Sequence, residues 1–155
     1  MTSKGKSFEE KFKEDWKKSF PDGTLDRLYD SMTGYRSISN VSDFICYNYP
    51  NIYYIECKSH KGASLPFTNI AQYDKMNQKQ GICGVRAGIV LWLYEKDIVM
   101  YIPVSTITQM KKDGKKSVGI KSIDEGYNII EIPSKKKRVY MDSDYSCLKN
   151  LEEGL

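Results

Sequence analysis

The sequence predicts an α/β domain built on one mixed sheet with helices against it. Three observations point there. Phe8, Phe12, Trp16 and Phe20 recur every four residues near the start, VSDFICY and IYYIECK are β-rich runs joined by NYPN, and the nearly unbroken apolar run AGIVLWLY follows a second helical stretch. The order helix, strands, helix, strands is that of a mixed sheet flanked by helices.

The first helix is expected over 7–19, because Ser7 with Glu10 three residues on has the pattern of a capping box and Pro21, Asp22 and Gly23 stop it. The polar stretch from Thr24 to Asn40 has no clear period and is expected to be loop with at most one helical turn. VSDFICY (41–47) and IYYIECK (52–58) read as a hairpin, since Asn and Pro between them are turn residues. NIAQYDKMNQKQ (69–80) predicts a second helix with Ile70, Tyr73, Met76 and Asn77 on one face and Gly81 as its stop. AGIVLWLY (87–94) has the composition of a central strand covered on both faces. DIVMYIP (97–103) pairs with it across Glu95 and Lys96, a short helix follows from Pro103 to Met110, and 118–141 predicts two or three more strands interrupted by the basic run Lys135 to Arg138. The whole of 1–155 reads as one domain, with a core of about 7–141 and a short C-terminal tail.

With 155 residues the chain can bury about two-thirds of the surface its unfolded form exposes, so one core suffices. With 40% hydrophobic and 28% charged residues it has no apolar run of membrane-spanning length, and the lysines of MTSKGKSFEEKFKEDW lead into no apolar leader segment. A cytoplasmic protein without a membrane partner is the expectation. Cys46, Cys57, Cys83 and Cys147 are scattered with no CxxC pair and one histidine, His60, which argues against structural zinc and for reduced thiols. A net charge of +4 and a pI near 8.7 suit a polyanionic partner without requiring one.

Chemistry concentrates in the hairpin. If the turn is centred between Tyr49 and Pro50, Ile45 faces Tyr54 and Asp43 faces Glu56. The period of two then puts Asp43, Ile45, Tyr47, Ile52, Tyr54, Glu56 and Lys58 on one side, and Phe44, Cys46, Tyr53, Ile55 and Cys57 on the other. Two carboxylates meet on a largely apolar face with their Cβ atoms about 5 Å apart, an arrangement that needs positive charge. Lys58 supplies some of it. A hard cation such as Mg²⁺, which commonly takes one or two carboxylates plus water and phosphate oxygens, supplies more. A cation and an ammonium at one spot are what phosphodiester hydrolysis needs. Acids and lysines on hairpins also form solvated ion clusters, and the spacing alone leaves that alternative open. Glu9, free because Glu10 is the capping residue, and Gln72, early in the second helix, are further candidates, while His60 reads as a loop residue. Lys4, Lys6, Lys11, Lys13, Arg27, Arg36, Lys58 and Lys61 could border a phosphate-binding surface, or simply be solubilising charges.

A first-helix glutamate, Asp43, the E-C-K of 56–58 and a following helical glutamine together resemble the PD-(D/E)xK nuclease superfamily. More closely, KGKSFEEKF, SDF, YIECKSHKGASLPFTNIAQYDKM and GICGVRAGIVLWL resemble the RecU-type Holliday junction resolvases and their phage-borne relatives over most of residues 4–105. The resemblance implies a restriction-endonuclease-like fold, Mg²⁺ or Mn²⁺ held by Asp43, Glu56 and the backbone carbonyl of Cys57, Lys58 as catalytic lysine, and Glu9 and Gln72 as supporting site residues. It implies a homodimer that makes paired nicks in a four-way DNA junction, with room for a recombinase partner. In that family a stalk lies between the first helix and the aspartate, whereas only 22 residues separate Phe20 from Asp43 here. Arg27, Tyr29, Tyr35 and Arg36 lie in that segment and would be its reduced counterpart. A broader branched-DNA nuclease, or a DNA-binding recombination accessory protein with a vestigial site, are the alternatives to a junction resolvase.

Overall fold

In the computed structural model the described residues are 3–29, 31–33, 36–38 and 40–150, with the side chains of 3, 6, 31–33, 36–38 and 150 outside the description. Helix α1 (Ser3–Ser19) leads into β1 (Thr24–Arg27), the small hairpin β2 (Ser31–Thr33) and β3 (Arg36–Ile38), and then β4 (Phe44–Asn48) and β5 (Asn51–His60). After β6 (Ser64–Pro66) and a 3-10 turn at Phe67–Asn69 come α2 (Tyr73–Asn77), β7 (Val85–Leu93), β8 (Ile98–Pro103) and α3 (Val104–Lys112). The chain ends with β9 (Ser117–Gly119), α4 (Ile120–Asp124), β10 (Ile130–Glu131), β11 (Ser134–Lys136), β12 (Met141–Ser143) and a 3-10 segment at Tyr145–Asn150.

The main sheet has six strands in the order β1-β4-β5-β7-β8-β10. Neighbours are antiparallel except β5 and β7, which run parallel and make the sheet mixed. On one face α1 and the C-terminal segment cover a core that joins Phe8, Phe12, Trp16 and Phe20 to Phe44, Cys46, Tyr53 and Ile55. The aromatic rings interlock, with centroids 5.0 Å apart for Phe12 and Phe44 and 4.5 Å for Trp16 and Phe20. On the other face Leu65, Phe67, Ile70, Met76, Val104, Ile107 and Met110 pack over Ile89, Leu91 and Ile102. Strand β7 is therefore buried on both sides, as its unbroken apolar sequence predicts. Among the described residues no helix is long and apolar enough to cross a membrane.

Several elements depart from the sequence expectation. Helix α1 begins at Ser3, so Ser7 lies within the helix and does not cap it. Packing extends the helix: Lys4 Nζ sits 4.0 Å from the centre of the Tyr94 ring and Phe8 lies 5.4 Å from Trp92, so the turn before Ser7 has its own surface to rest on. The stretch after Gly23 is strand where loop was expected. Only Leu25 in β1 is buried, so there is no alternating pattern to read, yet β1 completes the open edge of β4 with Leu25 opposite Cys46. A Cβ on Gly23 would stand 2.5 Å from the Tyr47 carbonyl oxygen, so only glycine allows the chain to enter β1 this closely. The expected helix over 69–80 shrinks to Tyr73–Asn77. Its inward residues Phe67, Ile70, Tyr73 and Met76 recur every three positions, which suits 3-10 turns better than an α-helix, and Ile70 N–H bonds Phe67 O at 3.0 Å.

The core also runs past residue 141. Tyr145 and Leu148 are fully buried against α1. Asp15, itself buried, accepts Lys11 Nζ at 3.0 Å and the Ser143 backbone N–H at 3.0 Å, and Lys11 reaches Asp142 at 2.6 Å. Ser19 Oγ accepts the Tyr145 N–H at 2.9 Å. All four cysteines are free thiols, Cys46 and Cys57 buried, Cys83 exposed and Cys147 half-buried.

Candidate active site

The register of the hairpin is Phe44 opposite Ile55, Ile45 opposite Tyr54 and Tyr47 opposite Ile52. Extended by one residue, it sets Asp43 against Glu56 just before β4 begins. There Asp43 Oδ2 accepts the backbone N–H of Cys57 at 2.9 Å. In an extended strand the N–H and C=O of one residue face the same edge. The Cys57 carbonyl is therefore on the edge that Asp43 occupies, beyond the reach of the β4 ladder.

Glu56 is only 5% exposed, and its Oε2 is buried without a hydrogen-bond partner. Loss of solvent, then the hydrogen bond and negative charge of Asp43, drive its carboxyl far above the ordinary range, with the Lys58 ammonium opposing. Burial and Asp43 raise Glu9 as well, while Arg27 pulls it back. The guanidinium of Arg27 lies between the two acids of α1 and the hairpin. Its Nε donates to Glu9 Oε2 at 3.2 Å, one terminal nitrogen stands 3.7 Å from Asp43 Oδ1, and the other donates to the Asp43 carbonyl at 3.0 Å. The same group also donates to the Leu28 carbonyl and lies 5.0 Å from the Tyr29 ring centre.

Glu9, Asp43 and Glu56 face an open cavity of about 340 Å³. Gly5 of α1, residues 57–60 of β5, Leu65 and Asn69 complete its lining. The structure thus brings Glu9, Asp43, Glu56, Cys57 and Lys58 together. Gln72 lies at the start of α2 and does not line the cavity; Asn69, three residues earlier, is the amide that does. The shortening of α2 accounts for the exchange. His60, expected in a loop, is the last residue of β5 and lines the cavity with Lys58.

The basic candidates disperse. Arg27 is bound to the acids, Lys11 to Asp15 and Asp142, and Lys4 to the Tyr94 ring. Lys61 is exposed just after β5, and the side chains of Lys6 and Arg36 and the whole of Tyr35 lie outside the described residues. The sequence missed the structural role of Arg27, whose only local signal is its place in a segment without a period.

Among the described residues no three His, Cys, Asp or Glu side chains converge to cage an ion alone. Two adjacent carboxylates, one with a buried oxygen lacking any partner, and the Cys57 carbonyl on the same edge fit Mg²⁺ or Mn²⁺, whose remaining positions would go to water and substrate oxygens.

No family model and no curated protein match the chain. Among solved structures, one of Hjc, a Holliday junction resolvase from the archaeal hyperthermophile Archaeoglobus fulgidus, overlaps 66% of this chain and 78% of its own at 19% identity and a TM-score of 0.49.

Proposed function

We propose that this chain is a metal-dependent endonuclease for branched DNA, and specifically that it resolves four-way junctions by paired nicks as a homodimer. One observation carries the nuclease reading. Glu56 buries a carboxylate oxygen without a partner beside Asp43, a cost of about 1–3 kcal/mol that a bound cation would offset. The preference for a four-way junction, the dimer and the recombinase partner rest on the resemblance of 4–105 to the RecU-type resolvases, and a reduced stalk at 21–42 leaves room for broader branched substrates.

In this reading Asp43, Glu56 and the Cys57 carbonyl would hold Mg²⁺ or Mn²⁺, which when bound would supply positive charge to the scissile phosphate and a more acidic water. Cys57 N–H fixes one oxygen of the Asp43 carboxylate, and the other stands 3.7 Å from the Arg27 guanidinium. Lys58, two residues from Glu56 on the same face of β5, aligns the attacking water and steadies the negative charge that builds on phosphorus. Arg27 holds Glu9 and Asp43 at fixed spacing, so their mutual repulsion does not open the site. The exposed Lys61 and the half-buried end of β5 meet the flanking backbone.

Incubation of the protein with a mobile four-way junction, a flap and a linear duplex in Mg²⁺ tests the proposal. Paired nicks confined to the junction are expected. Equal cutting of all three would leave a general nuclease, and a gel shift without cutting in Mg²⁺ or Mn²⁺ would favour a DNA-binding accessory protein.

A further inference from the structure

We propose that His60 is a substrate-contacting residue, its imidazole donating a hydrogen bond to the phosphate next to the one held at Lys58. The inference rests on the nuclease reading above and adds a residue to its binding surface. Four observations support it. His60 belongs to regular strand, paired with Leu93 of β7 and accepting the Tyr94 backbone N–H at 3.3 Å, so its position is set by the sheet rather than by a loop. The period of two puts it on the same face as Glu56 and Lys58. It lines the same cavity as those two. Its ring makes no hydrogen bond or ion pair with any described residue, so the cavity-lining imidazole is not committed to a protein partner there.

The spacing fits a nucleic acid backbone. Two residues of strand advance about 6.8 Å, close to the separation of successive phosphates along one DNA strand. A DNA strand laid along β5 with its scissile phosphate at Asp43, Glu56 and Lys58 therefore brings a neighbouring phosphate to His60. The imidazole would be a neutral or charged donor to an anionic oxygen, a contact made both before and during cleavage. Such a contact changes KM more than kcat.

A chemical double-mutant cycle tests this with the full-length protein and junction DNA. Methylphosphonate, which removes one phosphate charge, is placed one linkage at a time on either side of the cut. For wild type, one neutral linkage beside the cut is expected to raise KM about tenfold, the size of one lost hydrogen bond to a charged group. His60→Ala should raise KM by a similar factor, more than it lowers kcat, and should abolish the further effect of that linkage. His60→Asn, which keeps an N–H donor, should recover part of the loss, and melting temperatures near wild type would exclude misfolding as the cause. An unchanged KM for His60→Ala, or a neutral linkage that costs variant and wild type equally, overturns the assignment while leaving the nuclease intact. A wild-type protein that neither binds nor cuts the junction overturns both readings.

Discussion

Glu56 is where the physical demands on this molecule are sharpest. The free carboxylic acid is favoured in the fold because burial and Asp43 raise its pKa, while the unfolded chain titrates in the ordinary range near 4.5. Above that range the folded, metal-free protein therefore holds a proton that the unfolded chain has released, and stability falls as pH rises. Glu56→Gln keeps the shape and removes the ionisable group. It is expected to raise the stability of the metal-free protein at pH 8 by about 1–3 kcal/mol, to flatten the decline with pH, and to abolish cleavage. Denaturant melts at pH 5 and pH 8 in the presence of a chelator read the first two effects, and an equal or steeper pH dependence in the variant would show that Glu56 does not carry the strain. Asp43→Asn acts differently. It should stop cleavage of a junction in Mg²⁺ while leaving the gel shift nearly intact, because the asparagine side-chain oxygen can still accept the Cys57 N–H but no longer repels Glu56. Cleavage that survives the change would remove Asp43 from the site.

Elements differ in how far their own residues determine them. The C-terminal 3-10 segment is tied to the core by tertiary contacts: Tyr145 lies 5.1 Å from Phe12, its N–H bonds Ser19, and Leu148 is buried in the same cluster as α1. Leu148→Ala should cost about 2–5 kcal/mol through the cavity it leaves, and deletion from Asp144 onward should cost more. A deletion that melts like the full chain would mean that this segment is an appendage to the core. The same contrast explains what was legible in the sequence. Helix α1, the β4–β5 register and the buried strand β7 could be read because burial imposes a period of 3.6, an alternation or an unbroken apolar run on them. From that register came the meeting of Asp43 with Glu56. Strand β1 could not be read, since it forms to pair the edge of β4 and needs only Leu25 inside. Nor could the length of α2, where spacing by three competes with spacing by four, and that uncertainty is what exchanged Gln72 for Asn69 at the cavity. Arg27 escaped for a related reason: its ion pairs join α1, β1 and the hairpin, and no local pattern encodes a contact between three elements.

For the molecule as a whole, the cavity lies where α1, the residue preceding β4 and the outer half of β5 meet, so binding there couples to the stability of both cores. A cation that binds the folded protein and not the unfolded chain stabilises it by about 2.7 kcal/mol at a hundred times its dissociation constant. For a chain of this size each kilocalorie moves the melting temperature by about 2–4 °C, which gives a rise of about 5–10 °C. The rise should grow with pH, because the ion competes with the proton held on Glu56 and that proton is easier to displace in more alkaline solution. It should vanish in Glu56→Gln, where one carboxylate is gone, and survive in His60→Ala, whose side chain stands further along β5 than the two acids. Differential scanning fluorimetry with Mg²⁺ or Mn²⁺ at pH 6 and pH 8 reads all three expectations. Equal rises in wild type and Glu56→Gln would place the ion elsewhere on the surface, and the paired acids would then have to be explained by a proton shared between them.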